Sequence, residues 1–394
     1  MIKSSLIGFS KGIEGDSVFT ARNPATGENL EDSFCHASEE DVAKACNLAS
    51  EASLAMAALS GSKKAGFLRD LSDRLGGIVD QLVQTMTAET GLPEPRVRGE
   101  TGRTISQLKM FADLVESGNW VDARIDRTQP NREPIPKPDL RSMLRPVGPV
   151  VVFCASNFPL AFSVAGGDSA SAWAAGCPVI VKAHHAHPGT ALLVGNAVVD
   201  SVRSSGLPEG AFSLIFGDGR TVGQSLVNHP AIKAVGFTGS RAGGRALFDL
   251  ASQRDEPIPV YAEMSSINPI FILPGLGEER MNEIATGLQG SATLGVGQFC
   301  TNPGIVFYPR GPGGESLVAG YVGKMKETVS SPMLHEGIRK AYGEGLDSLT
   351  GCEGVEVLVP ASNESGEGGC HAGSCVLSTD SESFLANEKM VDEV

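Results

Sequence analysis

The chain has 394 residues, 41% of them apolar and 20% charged, and a formal net charge of −14. That length exceeds one ordinary core and predicts two or three domains, while the acidic balance excludes the basic face of a nucleic-acid binder. The apolar stretches are too short to cross a bilayer, and the opening "MIKSSLIGFSKGIEG" lacks the apolar core of a secretory signal, so the expectation is a cytoplasmic protein without a membrane or nucleic-acid partner.

Residues 38–118 read as helices. "SEED" at 38–41 fits a capping box ahead of "VAKACNLASEASLAMAAL". The stretch "KAGFLRDLSDRLGGIVDQLVQTMTAETG" keeps helical spacing up to Gly91 and Pro93, and "GETGRTISQLKMFADLVES" is a third helical run. None of these carries obvious chemistry, and they read as framework. From Trp120 the chain turns proline-rich and charged, which fits either a linker or a protruding hairpin used in assembly.

From residue 148 short apolar runs alternate with helical ones. "PVVVFCA", "CPVIVKA", "AFSLIFG", "IKAVGFTGS" and "PIPVYAEMSS" read as strands. "PLAFSVAGGDSASAWAAG", "PGTALLVGNAVVDSVRSSG", "TVGQSLVNHP" and "RAGGRALFDLASQ" read as the helices between them. This alternation predicts a doubly wound, Rossmann-like α/β sheet with ligands at the carboxyl ends of its strands. A second α/β set follows: strand "NPIFILP", helix "GEERMNEIATGLQGSATLG", Cys300, strand "GIVFYP" and further helix. "SNESGEGG" at 362–369 reads as a flexible loop.

Candidate chemistry sits at the strand ends. "VGFTGSRAGG" is a strand, a glycine turn and a helix start, where Gly239 permits close approach and Ser240 can donate to a phosphate; an ordinary Gly-Ser turn is the alternative. Lys182 ends a buried strand, where its ammonium either reaches a ribose or phosphate or extends to solvent. His184, His185 and His187 follow it without a local carboxylate or thiolate, so an anionic ligand fits at least as well as a metal. Asn157 is placed either as an oxyanion donor or as a turn residue before Pro159. Glu263 is either a partly desolvated base or a surface carboxylate. The eight cysteines, at 35, 46, 154, 177, 300, 352, 370 and 375, are irregularly spaced and read as reduced thiols. Cys370, His371 and Cys375 lack a second ligand cluster, so no metal site is expected. Cys300 stands where a helix gives way to a strand, a place suited to a nucleophile as well as to filler.

Taken jointly, "SNFPLAF", "GCPVIVKA", "FTGS", "AEMSSINP" and "GQFCTNPG" resemble the aldehyde dehydrogenase superfamily in order and spacing over nearly the whole chain. "VKAHHAHPGT" and "GDGRTVGQSLVNHPAIKAVGFTGS" are most similar to its bacterial branch of α-ketoglutarate semialdehyde (2,5-dioxovalerate) and NADP-linked fatty aldehyde dehydrogenases. The resemblance implies Cys300 as nucleophile, Asn157 and the Cys300 N–H as oxyanion donors, and Glu263 as the base that activates water. It implies cofactor contacts at Lys182, His185, Gly223, Gly239, Ser240, Phe153, Ser156 and Glu393. His185 stands where NAD-preferring members carry a glutamate, which implies NADP as cofactor with NAD tolerated. The substrate implied is a small aldehyde, 2,5-dioxopentanoate first and a medium- or long-chain aliphatic aldehyde second; a CoA-acylating relative and an inactive nucleotide-binding paralogue are the other readings, and Glu263 argues against the first of these. The domains implied are a nucleotide-binding domain over 1–122 and 144–262, an oligomerisation hairpin over 123–143 and a catalytic domain over 263–394. The Phe-Gly-Pro that follows the family's glutamate is absent after Glu393, so a chain incomplete at its C-terminus is expected, with a homodimer or homotetramer for the full-length form.

Overall fold

A computed structural model describes residues 1–362 and 369–394; six residues of the loop read over 362–369 lie outside the described residues. The chain divides into two compact units. The first comprises Met1–Thr20, Glu31–Thr85 and Glu94–Glu263, and the second comprises Ala21–Leu30, Met86–Pro93 and Met264–Val394.

The first unit opens with short strands β1 (Ile2–Lys3), β2 (Leu6–Ile7), β3 (Ser10–Lys11), β4 (Val18–Arg22) and β5 (Asn29–Cys35). The sequence reading found no element before residue 38. Strands of two residues carry no periodicity of their own, and β2 exists because it pairs antiparallel with an edge of the main sheet. The helices α1 (Glu39–Ala57), α2 (Gly61–Gly77), α3 (Val79–Thr90) and α4 (Glu94–Ser117) follow. The run read as one helix over 64–91 is therefore two, broken at Ile78 (φ −115°, ψ 15°) just after Gly76 and Gly77, the poorest helix formers in the stretch.

The expected capping box is present. Ser38 Oγ accepts from Asp41 N at 3.1 Å and Asp41 Oδ2 accepts from Ser38 N at 3.2 Å. Asp41 Oδ1 also accepts from Ile13 N at 3.1 Å, so one buried carboxylate ties the N-terminal segment to α1. An exposed hairpin of β6 (Arg124–Asp126) and β7 (Leu140–Ser142) comes next, antiparallel in register.

The main sheet contains β8 (Val150–Phe153), β9 (Val179–Lys182), β10 (Phe212–Ile215), β11 (Ala234–Thr238) and β12 (Val260–Glu263). Between them lie α5 (Gly167–Ala175), α6 (Pro188–Ser204), α7 (Val222–Asn228) and α8 (Arg241–Ser252). The strand order is β12-β11-β8-β9-β10-β2-β3. The first five run parallel. The chain moves outward from β8 through β9 and β10, then returns to β11 on the other side of β8. The switch point thus lies between β8 and β11.

Strands β8, β9 and β10 are buried along their whole length, which their continuous apolar runs require. On one face Val151, Phe153, Ile180, Ile215 and Val235 pack with α1, α7 and α8. On the other, Trp173 of α5 lies between Phe67 of α2 and Phe212 of β10, with centroids at 5.4 and 5.9 Å, and its indole N–H donates to Ala211 O at 3.1 Å.

In the second unit β13 (Ile270–Phe271) pairs parallel with β14 (Val306–Phe307). Helices α9 (Glu278–Thr293) and α10 (Pro312–Lys326) pack through Met281, Ala285, Leu288 and Leu317. The ladders β15 (Ser331–Pro332) with β17 (His371–Ala372) and β16 (Glu356–Val359) with β18 (Val376–Ser378) are antiparallel. Among the described residues no helix is long and apolar enough to cross a membrane.

Asp41→Ala leaves the Ser38 and Ile13 N–H groups without their carboxylate, and we expect a loss of about 1–3 kcal/mol in urea-induced unfolding. A change under about 0.5 kcal/mol would show that water replaces the carboxylate there.

Candidate active site

The carboxyl edge of the parallel sheet in the first unit collects most of the residues singled out in the sequence. Phe153 ends β8, and Ser156 and Asn157, both half-buried, follow it. Lys182 ends β9 directly opposite Phe153 in the register. Glu263 ends β12 opposite Thr238, and its backbone carbonyl accepts from Gly239 N at 3.0 Å. The Glu263 side chain is exposed, because β12 is the outer strand of the sheet and leaves its last residue uncovered.

Ser240 is the N-cap of α8, with Oγ accepting from Gly243 N at 3.2 Å. Its hydroxyl proton stays free to donate beside the unpaired N–H groups of the first helical turn. A Cβ at Gly239 would stand 2.7 Å from Phe237 Cζ, and one at Gly223 would stand 3.0 Å from Phe153 Cε1. A side chain at either position would press on an aromatic ring.

Lys182 is 8% exposed, and burial lowers the pKa of its ammonium. Among the described residues it has no carboxylate within ion-pair distance. A buried cation without a fixed counter-ion, at the end of a strand beside the topological switch point, suits the ribose hydroxyls and phosphates of a dinucleotide. His185 is exposed, with its ring stacked on His184 at 4.4 Å. His187 is buried. Its Nε2 lies 2.8 Å from Ala155 O and donates to it in the neutral ring, whereas Nδ1 has no hydrogen-bond partner among the described residues. Burial pushes this imidazole down to about 4, against the opposing effect of its bond to Ala155.

Residues 156–166 are turns rather than the start of the helix expected over 159–176; α5 begins only at Gly167. Glu100 of α4 reaches this connection, with Oε1 accepting from Leu160 N at 2.8 Å and from Ala161 N at 3.0 Å. Glu100 Oε2 accepts from Arg96 Nη1 at 2.8 Å. Burial raises the Glu100 pKa, opposed by the Arg96 charge and the two N–H bonds. Sequence reasoning passed over both residues as framework. Arg and Glu four apart on a helix are ordinary surface partners, and only burial separates this pair from the rest.

Cys300 belongs to the second unit and is half-buried. The residues just before it, Gly295 (φ +60°), Val296 (φ +59°) and Gly297 (φ +74°), are all left-handed. For β-branched Val296 this is a strained conformation. Asn268, itself at φ +44°, holds the turn by donating from Nδ2 to Cys300 O at 2.7 Å and to Asn302 O at 3.0 Å. Asn302 Nδ2 donates to Gly297 O at 2.9 Å, and Gln298 Oε1 accepts from Leu334 N at 3.0 Å. The Cys300 backbone is therefore fixed from several sides while its thiol stays partly open. By contrast, burial pushes Cys46 up to about 12 and Cys154 up to about 11, which keeps both as thiols. Asn268 was missed in the sequence; its only signal was an Asn-Pro pair after Glu263. Glu393 follows a short turn at Glu388–Val391 and is exposed.

The family model described as the aldehyde dehydrogenase family matches residues 12–338. The chain is 46% identical over 390 residues to alpha-ketoglutaric semialdehyde dehydrogenase 2 of Azospirillum brasilense, covering 99% of this chain and 74% of that protein. It is 42% identical over 325 residues to the alpha-ketoglutaric semialdehyde dehydrogenase of Acinetobacter baylyi, covering 82% of this chain and 61% of that one. In fold it is similar to a solved lactaldehyde dehydrogenase, with a TM-score of 0.83 at 20% identity over 99% of this chain and 80% of the other.

The His187 geometry sets a pH dependence. The unfolded ring protonates near its ordinary value of about 6.5, and the folded ring only near 4. The stability due to the neutral ring is thus fully present above pH 6.5 and is lost as pH falls toward 4, by on the order of 3 kcal/mol. Urea midpoints at pH 7 and 4.5 should differ less for His187→Gln than for the parent chain, and an equal drop in both would remove His187 as the cause.

Proposed function

We infer the reaction from one premise: the chain belongs to the aldehyde dehydrogenase family, an NAD(P)-dependent class of enzyme acting on aldehydes. The observation that carries the assignment of roles is the Cys300 turn, a half-open thiol on a backbone fixed by Asn268 and Asn302. The Cys300 thiolate adds to the aldehyde carbon and forms a C–S bond, and the carbonyl oxygen becomes an oxyanion. The Asn157 amide and the Cys300 N–H stabilise that oxyanion. A bound oxidised nicotinamide would supply the hydride acceptor for the thiohemiacetal carbon, and Cys300 then carries the acyl group as a thioester. Glu263 takes a proton from water, and the hydroxide displaces Cys300 to release the acid. The sum is aldehyde, NAD(P)⁺ and water giving acid, NAD(P)H and a proton.

The first unit is the nucleotide-binding part of this reading, and the second carries the nucleophile. Lys182 and Ser240 hold the ribose and phosphates, Phe153, Ser156, Gly223 and Gly239 shape the surface beneath them, and Glu393 contacts the nicotinamide ribose. NADP is the preferred form, because His185 places no carboxylate against a 2′-phosphate. The substrate is 2,5-dioxopentanoate, oxidised to 2-oxoglutarate; the names of the 46% and 42% identical relatives support it.

The deciding experiment follows NADPH absorbance with 2,5-dioxopentanoate and with a medium-chain aliphatic aldehyde, beside Cys300→Ala. We expect turnover that the substitution abolishes, a higher kcat/KM for the semialdehyde, and a higher kcat/KM with NADP than with NAD. Activity surviving in Cys300→Ala rejects the nucleophile. Equal use of the two aldehydes rejects the substrate, and preference for NAD rejects the role of His185.

The hairpin is the assembly element of this reading. It and the segment after it expose Ile125, Ile135, Leu140, Met143 and Leu144, each more than half accessible, which a second copy of the chain would cover. Light scattering should give a mass above one chain for the parent and a lower one for Ile125→Asp combined with Leu140→Asp; a parent mass of one chain would discard this role.

A further inference from the structure

We propose that Glu100 and Arg96 are positioning residues that fix the β8–α5 connection and, through it, the Asn157 amide; this rests on the reading of Asn157 as an oxyanion donor. The connection runs from Cys154 to Gly166, far longer than the few residues usual between a strand and its helix. A connection of that length needs anchors from elsewhere to hold one side chain to catalytic tolerance. Both anchors stand one turn apart on α4, a 24-residue helix.

The Glu100 side chain is fully buried. One of its oxygens takes the Leu160 and Ala161 N–H groups, and the other takes the Arg96 guanidinium. The remaining Arg96 arm extends to Asn157 itself, with Nη2 donating to the Asn157 carbonyl at 3.4 Å. The same guanidinium lies 4.5 Å from the centroid of Phe158, and that of Arg103 lies 5.4 Å from Phe158 and 5.1 Å from Phe162. The far end of the connection is closed as well, because Gly167 N donates to Ala161 O at 3.0 Å.

Asn157 is thus held by its own carbonyl on one side and by amides three and four residues later on the other, all referred to a single rigid helix. A buried carboxylate is a costly way to fill space, and an apolar side chain would pack α4 at least as well. The charge is accounted for by the two loop amides, which burial would otherwise leave without acceptors.

The test has two arms. In the first, hydrogen exchange at the Leu160 and Ala161 amides is compared between the parent chain and Glu100→Gln. We expect exchange at these two sites to rise at least about tenfold, with β8 unchanged. Unchanged exchange overturns the clamp, and this arm needs no turnover, so its failure is distinct from failure of the proposed reaction.

In the second arm, kcat and the coenzyme KM are measured for Glu100→Gln, Asn157→Ala and the double variant. Glu100→Gln should lower kcat roughly 10- to 100-fold with little change in coenzyme KM. In the Asn157→Ala background it should lower kcat no further, because the group it positions is gone. An equal loss in both backgrounds assigns Glu100 a general structural role and overturns the inference. Arg96→Gln, at a partly exposed site, is measured in the same cycle with the same expectation and decides the matter if Glu100→Gln does not fold.

Discussion

The parallel ladder β12-β11-β8-β9-β10 is the constraint on which the first unit depends. Because all five strands point the same way, their last residues come out on one edge, and the reversal of winding on either side of β8 opens that edge between β8 and β11. Phe153, Lys182 and Thr238 end their strands there and Glu263 ends the outer one. The ladder itself holds because β8, β9 and β10 are covered by helices on both faces, so their amides have no water to turn to and must pair with one another.

Side-chain amides and carboxylates do for the connections what the ladder does for the strands. Asn268 and Asn302 hold the turn around Cys300 by donating to the carbonyls of Cys300, Asn302 and Gly297. Glu100 satisfies amides in the connection after β8, and His187 satisfies the Ala155 carbonyl a few residues earlier. In each case a polar side chain lets backbone depart from helix or strand without leaving a buried group unsatisfied. Chemistry needs such departures, since a regular element directs its side chains only at fixed intervals.

Two buried charges in the first unit are treated oppositely. Glu100 has its counter-ion and two amides in place, so its site is complete as it stands. Lys182 is nearly as buried, yet among the described residues no carboxylate lies within ion-pair distance of it. The first charge is compensated within the fold, and the second is not. Composition alone does not distinguish them.

Much of this was legible in the sequence. The strand–helix alternation after residue 148, the capping box at Ser38 and the position of Lys182 and Ser240 at element ends follow from local periodicity and capping chemistry, which act over a few residues. The N-terminal strands, the contacts of Glu100 with Leu160 and Ala161, and the exposure of Glu263 were not legible. Each depends on a partner distant in the chain or on position within the sheet. Strand β2 forms between β10 and β3, and the amides of Leu160 and Ala161 are taken by Glu100, some 60 residues earlier. The sequence by itself determined which residues can do chemistry and which element each terminates. The tertiary structure alone decided which polar groups are desolvated and what satisfies them, because burial is a property of the packed chain and of no segment within it.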